Sequence, residues 1–202
     1  MGGTMTAESV EHRHPWPVPP VDGYTVDDLF TLPDLPPHTE LIDGSLVFVS
    51  PQRRFHFLVI DLLVNGLRSS LGPDFSVERE MTVVLDERNG PEPDVSVVRA
   101  DAVTGLDQTS FKAEDVLLAV EVVSPDSESR DRTTKPHKYA LAGIPHYWRV
   151  EQDGTTGRPL VHVYELDPMT RSYVHMGMHH DRLKVDKPSA IAIDLGTVET
   201  RS

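Results

Sequence analysis

The chain has 202 residues, 38% of them hydrophobic and 25% charged, which is the composition of one ordinary globular domain. It contains no cysteine, and this excludes disulfide bonds and cysteine-ligated zinc. No apolar run approaches the roughly 18 residues of a membrane helix, and no signal sequence opens the chain. We therefore expect a cytoplasmic protein without a membrane partner.

Acidic residues outnumber basic ones, 32 Asp and Glu against 19 Lys and Arg, and the net charge is −13. A protein that binds nucleic acid usually carries a basic surface, so this balance argues against such a partner. The charge is uneven, however, because residues 127–149 hold five basic residues and only two acidic ones. This basic segment follows directly on the acidic positions discussed below, which weakens the objection.

Residues 1–22 are polar and rich in proline, with no hydrophobic period, and we expect a disordered or loosely docked tail there. Residues 23–200 are expected to form a single domain. Its first element is a short helix over residues 25–32, because Thr25 and Asp28 have the spacing of a capping box. A β-hairpin should follow, since Asp43-Gly44 separates two apolar runs.

The rest of the domain alternates helices and strands. Apolar residues at helical spacing predict an amphipathic helix over residues 53–71. Another helix is expected over residues 135–142, where Pro136 suits the first turn and Gly143 the C-terminal cap. A weak helical turn is expected near residues 107–111. Alternating or continuous apolar runs predict strands over residues 75–85, 94–98, 116–123, 144–150, 160–165 and 172–176. This order indicates an α/β (α+β) domain whose mixed sheet is flanked by helices.

Two carboxylates stand in or beside apolar strands. Glu121 interrupts the run 116–123, where an ionised side chain is costly unless it is paired or bound to a metal. Asp94 opens the strand 94–98, so neighbouring strands could bring the two carboxylates face to face. Together with waters they would suit Mg²⁺ or Mn²⁺, which activates water and stabilises charge on a phosphoryl oxygen. The residues leave an alternative open, in which Asp94 caps a turn after Pro93 and Glu121 pairs with an arginine.

The helix after the Glu121 strand carries two lysines, Lys135 and Lys138. A lysine near a metal would orient or deprotonate the attacking water and screen the phosphate, although most helix lysines are solvated surface residues. Tyr139 is more typical of core packing than of chemistry. His137 and His146 are weaker candidates for phosphate contacts, because the ten histidines of the chain include no pair at metal-ligand spacing.

Motifs of several other enzyme classes are missing from the sequence. It has no GxGxxG after a strand, no GxxxxGK[ST], no HExxH and no GxSxG. These absences argue against nucleotide-binding folds, zinc peptidases and triad hydrolases.

Three segments together resemble one known family: ELIDGSLVFVSP at 40–51, PEPDVSVV at 91–98 and VEVVSPDSESRDRTTKPHKYALAGIPHYWRV at 120–150. The chain is similar to the Uma-type endonuclease family of the PD-(D/E)XK, or restriction-endonuclease-like, nuclease superfamily. The resemblance covers residues 24–164, nearly all of the part that we expect to be ordered.

The resemblance implies a restriction-endonuclease-like core in which acidic residues meet where the sheet divides. Asp94 and Glu121 match the two acids of the family motif and would bind Mg²⁺ or Mn²⁺. Glu40 matches an acid that family members carry before the early hairpin, and it would complete the metal site. His56 matches a histidine near the start of the family's long helix, where a capping or packing role is as consistent as a catalytic one.

The sequence departs from the parent motif at one position. Val123 stands two residues after the second acid, where the parent motif has a lysine. Lys135 on the following helix is the natural replacement, and Lys138 stays an alternative.

We therefore predict a Mg²⁺-dependent hydrolase, a nuclease that cleaves DNA internally. Its predicted residues are the catalytic Glu40, Asp94, Glu121 and Lys135 and the accessory His56, Lys138 and Tyr139. The alternative is a non-catalytic module of the same fold that binds DNA or protein, which the net charge and the lack of a DNA-reading motif favour. The presence of all four catalytic residues favours the enzyme. A homodimer formed through a sheet edge or the closing meander is a further expectation.

Overall fold

The computed structural model describes residues 19–198, so the predicted tail lies almost entirely outside the described residues. In chain order the helices and strands are α1 (Val26–Thr31), β1 (Thr39–Ile42), β2 (Ser45–Phe48), α2 (Arg54–Ser70), β3 (Phe75–Arg79), β4 (Thr82–Val84), β5 (Val95–Arg99), β6 (Ser110–Lys112), β7 (Val116–Val122), α3 (Lys135–Leu141), β8 (His146–Gln152), β9 (Pro159–Asp167), β10 (Ser172–His179), β11 (Arg182–Val185) and β12 (Ile191–Asp194). Short 3₁₀ turns lie at Ala100–Ala102, Ala113–Asp115 and Leu195–Thr197, and a π-helical turn at Arg130–Thr134 precedes α3.

A six-stranded mixed sheet with the strand order β10-β9-β8-β7-β5-β3 forms the centre of the fold. The pair β7–β8 is parallel and the other four pairs are antiparallel. A parallel pair needs a crossover connection, and here the crossover contains α3. The predicted mixed sheet with flanking helices is confirmed.

The two faces of the sheet bury separate apolar clusters. On one face, Leu63 of α2 packs with Trp148 of β8 and Ile193 of β12, all of them buried. On the other face, Tyr139 of α3 packs with Tyr147 of β8. Because successive strand residues point to opposite faces, a residue on β7 faces either α2 or α3 according to its position. Glu121 shares its face with Ala119, which belongs to the α3 cluster.

Several local predictions are confirmed. The Thr25 side chain accepts a hydrogen bond from the Asp28 N–H, and the Asp28 carboxylate accepts one from the Thr25 N–H, so the capping box is complete. The β1–β2 hairpin turns at Asp43 and Gly44, both with positive φ, as a tight two-residue turn requires. The long amphipathic helix and the closing meander also form.

The predicted single strand over residues 75–85 is wrong. The chain turns at Glu80, whose φ is 51°, so β3 joins the large sheet while β4 leaves it. β4 instead pairs in parallel with β6, within the region where a helical turn was predicted near residues 107–111. That helical turn is also absent there, because the Gln108 amide donates to the carbonyl groups of Ala102 and Ser110 and braces an extended segment.

The predicted position of Pro136 in the first turn of α3 is confirmed. The backbone is already helical before α3, since Ser129 and Thr134 have αR dihedral angles. Proline lacks an N–H and its ring clashes with the carbonyl group four residues earlier, so a widened turn ahead of it accommodates the helix. The Lys135 N–H accordingly bonds to the Arg130 carbonyl group, five residues back.

Within residues 19–198, no helix is long and apolar enough to cross a membrane. Two additional strands, β11 and β12, form an antiparallel hairpin after residue 179, where the sequence carries only a weak strand signal.

The packing of α2 against β12 gives a first prediction. A Cβ atom at Gly66 would lie 2.7 Å from Ile193 Cγ1 and 2.8 Å from its Cδ1, and Ile193 is buried. Gly66→Ala should therefore lower the free energy of unfolding by about 1–2 kcal/mol, because overpacking outweighs the gain in helix propensity. Urea denaturation followed by circular dichroism measures the change.

Gly72→Ala is the matched control, since no atom lies within 4 Å of the added methyl group. Equal stabilities for the two variants would contradict the prediction. A double variant that adds Ile193→Val should recover part of the loss.

Candidate active site

The register of two adjacent strands brings the predicted acids together. β5 and β7 are antiparallel with Val95 opposite Val120, which places Asp94 opposite Glu121. Asp94 Oδ2 accepts a hydrogen bond of 2.6 Å from the Val122 N–H, so this carboxylate joins the ends of both strands. The predicted approach of the two carboxylates is confirmed. The alternative, in which Glu121 pairs with an arginine, is not confirmed. The partners of Glu121 among the described residues include no arginine.

Glu40 reaches the same place from the β1–β2 hairpin. It is 2% exposed, and its Oε1 accepts a hydrogen bond of 2.9 Å from the Glu92 N–H. This contact ties β1 to the segment that leads into Asp94. The hairpin therefore supplies a third carboxylate, although it does not belong to the large sheet.

Lys135 is the cation at the centre of the group. Its Nζ lies 2.7 Å from Glu40 Oε1, 3.1 Å from Glu121 Oε2 and 3.6 Å from Asp131 Oδ1. Burial lowers the pKa of Lys135, but Glu121, Glu40 and Asp131 together outweigh burial and raise this pKa well above its usual value. Lys135 is thus a protonated, buried ammonium group in this structure.

Glu121 and Tyr139 form the inner part of the cluster. Burial raises the pKa of Glu121 well above its usual value, and the charge of Lys135 opposes this shift. The Tyr139 hydroxyl donates a hydrogen bond of 2.5 Å to Glu121 Oε1. Burial and the nearby Glu121 raise the Tyr139 pKa, which keeps this donor protonated. Tyr139 therefore belongs both to the core and to the hydrogen-bond shell of the acid.

Asp131 is a fourth carboxylate that the sequence prediction missed. It is 1% exposed, and its Oδ1 has no hydrogen-bond partner among residues 19–198. Burial raises its pKa to about 6, against the opposing effect of Lys135. Two signals in the sequence pointed to it. Asp131 lies in the segment 120–150 that resembles the family, and it stands four residues before Lys135, a spacing at which residues share a helix face.

His56 approaches from the first turn of α2. It is 4% exposed, its Nε2 lies 3.1 Å from Asp94 Oδ1, and its Nδ1 has no hydrogen-bond partner among the described residues. Asp94 is thereby contacted on both oxygens, by His56 on one side and by the Val122 N–H on the other.

Three other residues that the sequence analysis considered lie away from the acidic cluster. Lys138 points to the β1–β2 turn, where its Nζ lies 2.5 Å from Asp43 Oδ1. His137 is exposed on α3. His146 lies near Glu165 and Lys187, and burial lowers its pKa. These three side chains make no recorded contact with the acids of the cluster.

The cluster lines a small cavity of about 40 Å³. The residues that border it include Glu40, His56, Asp94, Glu121, Arg130, Asp131 and Lys135. This volume has room for about three or four waters, at roughly 10–15 Å³ each. Two larger cavities, of about 220 and 270 Å³, flank it, and both include Gln52 and His56 of the segment before and at the start of α2. The acids thus lie at the floor of a connected depression.

The donor set fits a hard divalent cation. Glu40, Glu121 and Asp131 surround a single ammonium group and Asp94 lies opposite Glu121, so the ionised cluster has an excess of negative charge. Within residues 19–198, no three His, Asp or Glu side chains are already arranged as ligands of one ion. Mg²⁺ commonly binds through one or two carboxylates and retains several waters, a requirement that Asp94 and Glu121 can meet.

A sequence model of the Uma2 family, described as "putative restriction endonuclease", matches residues 26–195. The chain belongs to the Uma2 family. Among solved structures, a similar one is the crystal structure of a "putative nuclease belonging to DUF820" from Anabaena variabilis, with a TM-score of 0.63 and 18% sequence identity. The match covers 81% of this chain and 89% of that one, and it shows the fold. No match was found among curated proteins.

The position of the lysine in this Uma2 protein follows from the geometry. Val123 lies at the end of β7, where its N–H bonds to the Val150 carbonyl group. Lys135 reaches Glu121 from α3 instead, and its Nζ occupies the space among the carboxylates. The basic group thus reaches the acids from the crossover and not from the strand.

Asp131 gives a prediction on pH. Because its pKa is raised from 3.8 to about 6 in the fold, the protonated form stabilises the protein fully below pH 3.8, and this contribution is lost as the pH rises towards 6. Asp131→Asn removes the titration. Its stability relative to wild type should therefore increase between pH 4 and pH 7, by on the order of 3 kcal/mol. Denaturant unfolding at several pH values measures this difference.

Asp126→Asn is the control, since Asp126 borders the same cavity but is exposed. It reports the effect of removing one exposed carboxylate at the edge of this cavity. A constant difference between Asp131→Asn and wild type across the range would refute the assignment.

Proposed function

We propose that this Uma2 protein is a metal-dependent endonuclease of the PD-(D/E)XK type that hydrolyses DNA phosphodiester bonds. One observation carries the proposal: Glu40, Asp94, Glu121 and Lys135, distant in sequence, converge in one cavity with unbalanced negative charge. Such a buried group is costly to maintain, and a metal site accounts for it. The family description and the nuclease-like fold support the same class of reaction.

Asp94 and Glu121 would hold Mg²⁺ or Mn²⁺, with Glu40 as a further oxygen donor. The chemistry supplied by the bound ion is activation of a water molecule and stabilisation of charge on the phosphoryl oxygens. Asp94 is oriented by the Val122 N–H and by His56, and Glu121 is oriented by Tyr139. These contacts hold the carboxylates in place before a ligand arrives.

Lys135 would act as a positive charge. Its raised pKa makes it a poor base, because the neighbouring carboxylates favour the protonated form. It would orient the attacking water through an N–H donor and stabilise the negative charge that develops on the phosphate. Of the two roles predicted for Lys135, orienting the water therefore suits this residue better than deprotonating it.

The net charge of −13 favours a second candidate, a non-catalytic module that binds DNA or protein. In that case the same cluster would be a structural ion-pair network, since Glu40, Glu121 and Asp131 pair with Lys135 and Asp94 accepts a hydrogen bond from the Val122 N–H. The two candidate functions differ in metal dependence.

The predicted homodimer and the predicted cytoplasmic location stay predictions.

The test compares matched variants in a plasmid-cleavage assay with Mg²⁺, Mn²⁺ or EDTA. Asp94→Asn, Glu121→Gln and Lys135→Met should each lower metal-dependent cleavage by about 10²–10³-fold, as expected for loss of a group that stabilises the transition state. Isothermal titration should show that Asp94→Asn also loses divalent-ion binding.

Lys138→Met is the control for Lys135→Met, because it removes the same charge from the same helix but lies against Asp43. It should cleave like wild type. Wild-type protein that neither binds the ions nor cleaves DNA would leave the structural network as the explanation of the cluster.

His56 gives a separate prediction. His56→Ala should weaken Mn²⁺ binding by about tenfold, because Asp94 loses the group that orients one of its oxygens. His56→Gln, which retains a donor, should lose less. Isothermal titration with Mn²⁺ measures both, and His137→Ala on the exposed side of α3 serves as the unaffected control. Equal Mn²⁺ affinities for His56→Ala and wild type would rule out this orienting role.

A further inference from the structure

Arg130 is a positively charged residue at the cavity, and none of the contacts found among residues 19–198 neutralises its charge. It borders the same small cavity as Glu40, Asp94 and Glu121. Its Nε is shielded from solvent, and no partner for it exists among residues 19–198. No ion pair of its guanidinium group is found in this part of the chain either, although six acidic residues border the cavity.

The neighbouring arginine behaves in the ordinary way. Arg132 pairs with Glu128 at 2.9 Å and with Glu151 at 2.7 Å, in the adjoining cavity. An arginine next to acids normally forms such pairs, since its fork matches a carboxylate. Arg130 forms no such pair among residues 19–198, whereas Glu40, Asp94 and Glu121 are contacted by Lys135, Tyr139, His56 and backbone N–H groups.

The π-helical turn explains why Arg130 borders the site. In an α-helix, residues five apart lie roughly 140° apart around the axis, so Arg130 and Lys135 would face different directions. Here the Lys135 N–H bonds to the Arg130 carbonyl group, and the wider turn returns both residues to the same side. Such turns occur often at functional sites.

We propose that Arg130 binds the non-bridging oxygens of the phosphate on which the site acts. This inference rests on the proposed function, for which it names the group that receives the substrate anion. A guanidinium group donates two parallel hydrogen bonds to a phosphate, and it stays charged at all working pH values. A phosphate oxygen would supply the missing acceptor for Nε.

A cation in this position would also offset the repulsion between the carboxylates of the cavity and a bound phosphodiester. A phosphodiester that approaches four carboxylates is repelled unless positive charge faces it. Lys135 is already surrounded by acids, at 2.7, 3.1 and 3.6 Å. Arg130 is the cation of the cavity that remains available, so substrate recognition would depend on it more than on Lys135.

The test uses inorganic phosphate as the probe, in the presence of Mg²⁺, and measures its binding to the full chain by isothermal titration. Arg130→Ala should weaken phosphate binding by at least about tenfold, the size of one lost hydrogen bond to a charged group. Arg130→Lys, which keeps the charge and loses the fork, should show an intermediate loss. Mn²⁺ affinity, measured without phosphate, should be unchanged in both variants.

Arg132→Ala is the matched control, since it removes the same charge two residues away and should leave phosphate binding unchanged. Wild-type protein that binds no phosphate, or Arg130→Ala that binds it as tightly as wild type, would overturn the inference. DNA cleavage is scored separately. Phosphate binding that depends on Arg130 in a protein that cleaves no DNA would uphold the inference and overturn the proposed endonuclease.

Discussion

The ammonium group of Lys135 holds together three parts of the chain that otherwise have few reasons to meet. It contacts Glu40 on the hairpin, Glu121 on the central sheet and Asp131 on its own helical segment. A buried charge of this kind is tolerated only when partners compensate its lost hydration. The positions of β1, β7 and α3 relative to one another therefore depend on the same atoms that we assign to catalysis.

The buried charges of the site lower the free energy of unfolding. Asp131 and Glu121 both have raised pKa values, which means that their ionised forms are less stable in the fold than in water. An apolar set of residues of similar shape would form a more stable core. Retaining four carboxylates around one ammonium group is the pattern expected where charge is needed for binding or chemistry.

The sequence was sufficient for the main features of the site and insufficient for its periphery. Asp94 and Glu121 could be paired because polar residues in apolar strands are rare, and strand neighbours meet by register. Arg130 could not be placed, since a π-helical turn has no clear sequence signature and a regular helix would turn this residue elsewhere. The exit of β4 from the sheet was missed because a positive φ at Glu80 is uncommon for a glutamate.

The π-helical turn has a consequence for how the chain tolerates changes in length. A ring closed by an i→i+5 bond encloses one residue more than a ring closed by an i→i+4 bond. Deleting one residue between Arg130 and Lys135 would convert the turn to ordinary α-helix and leave α3 itself intact. In such a shortened chain Arg130 would stand four residues before Lys135, and residues at that spacing share one side of an α-helix. The extra residue of the π-helical turn is therefore taken up within a single turn, and the segment before it keeps its orientation towards the acids.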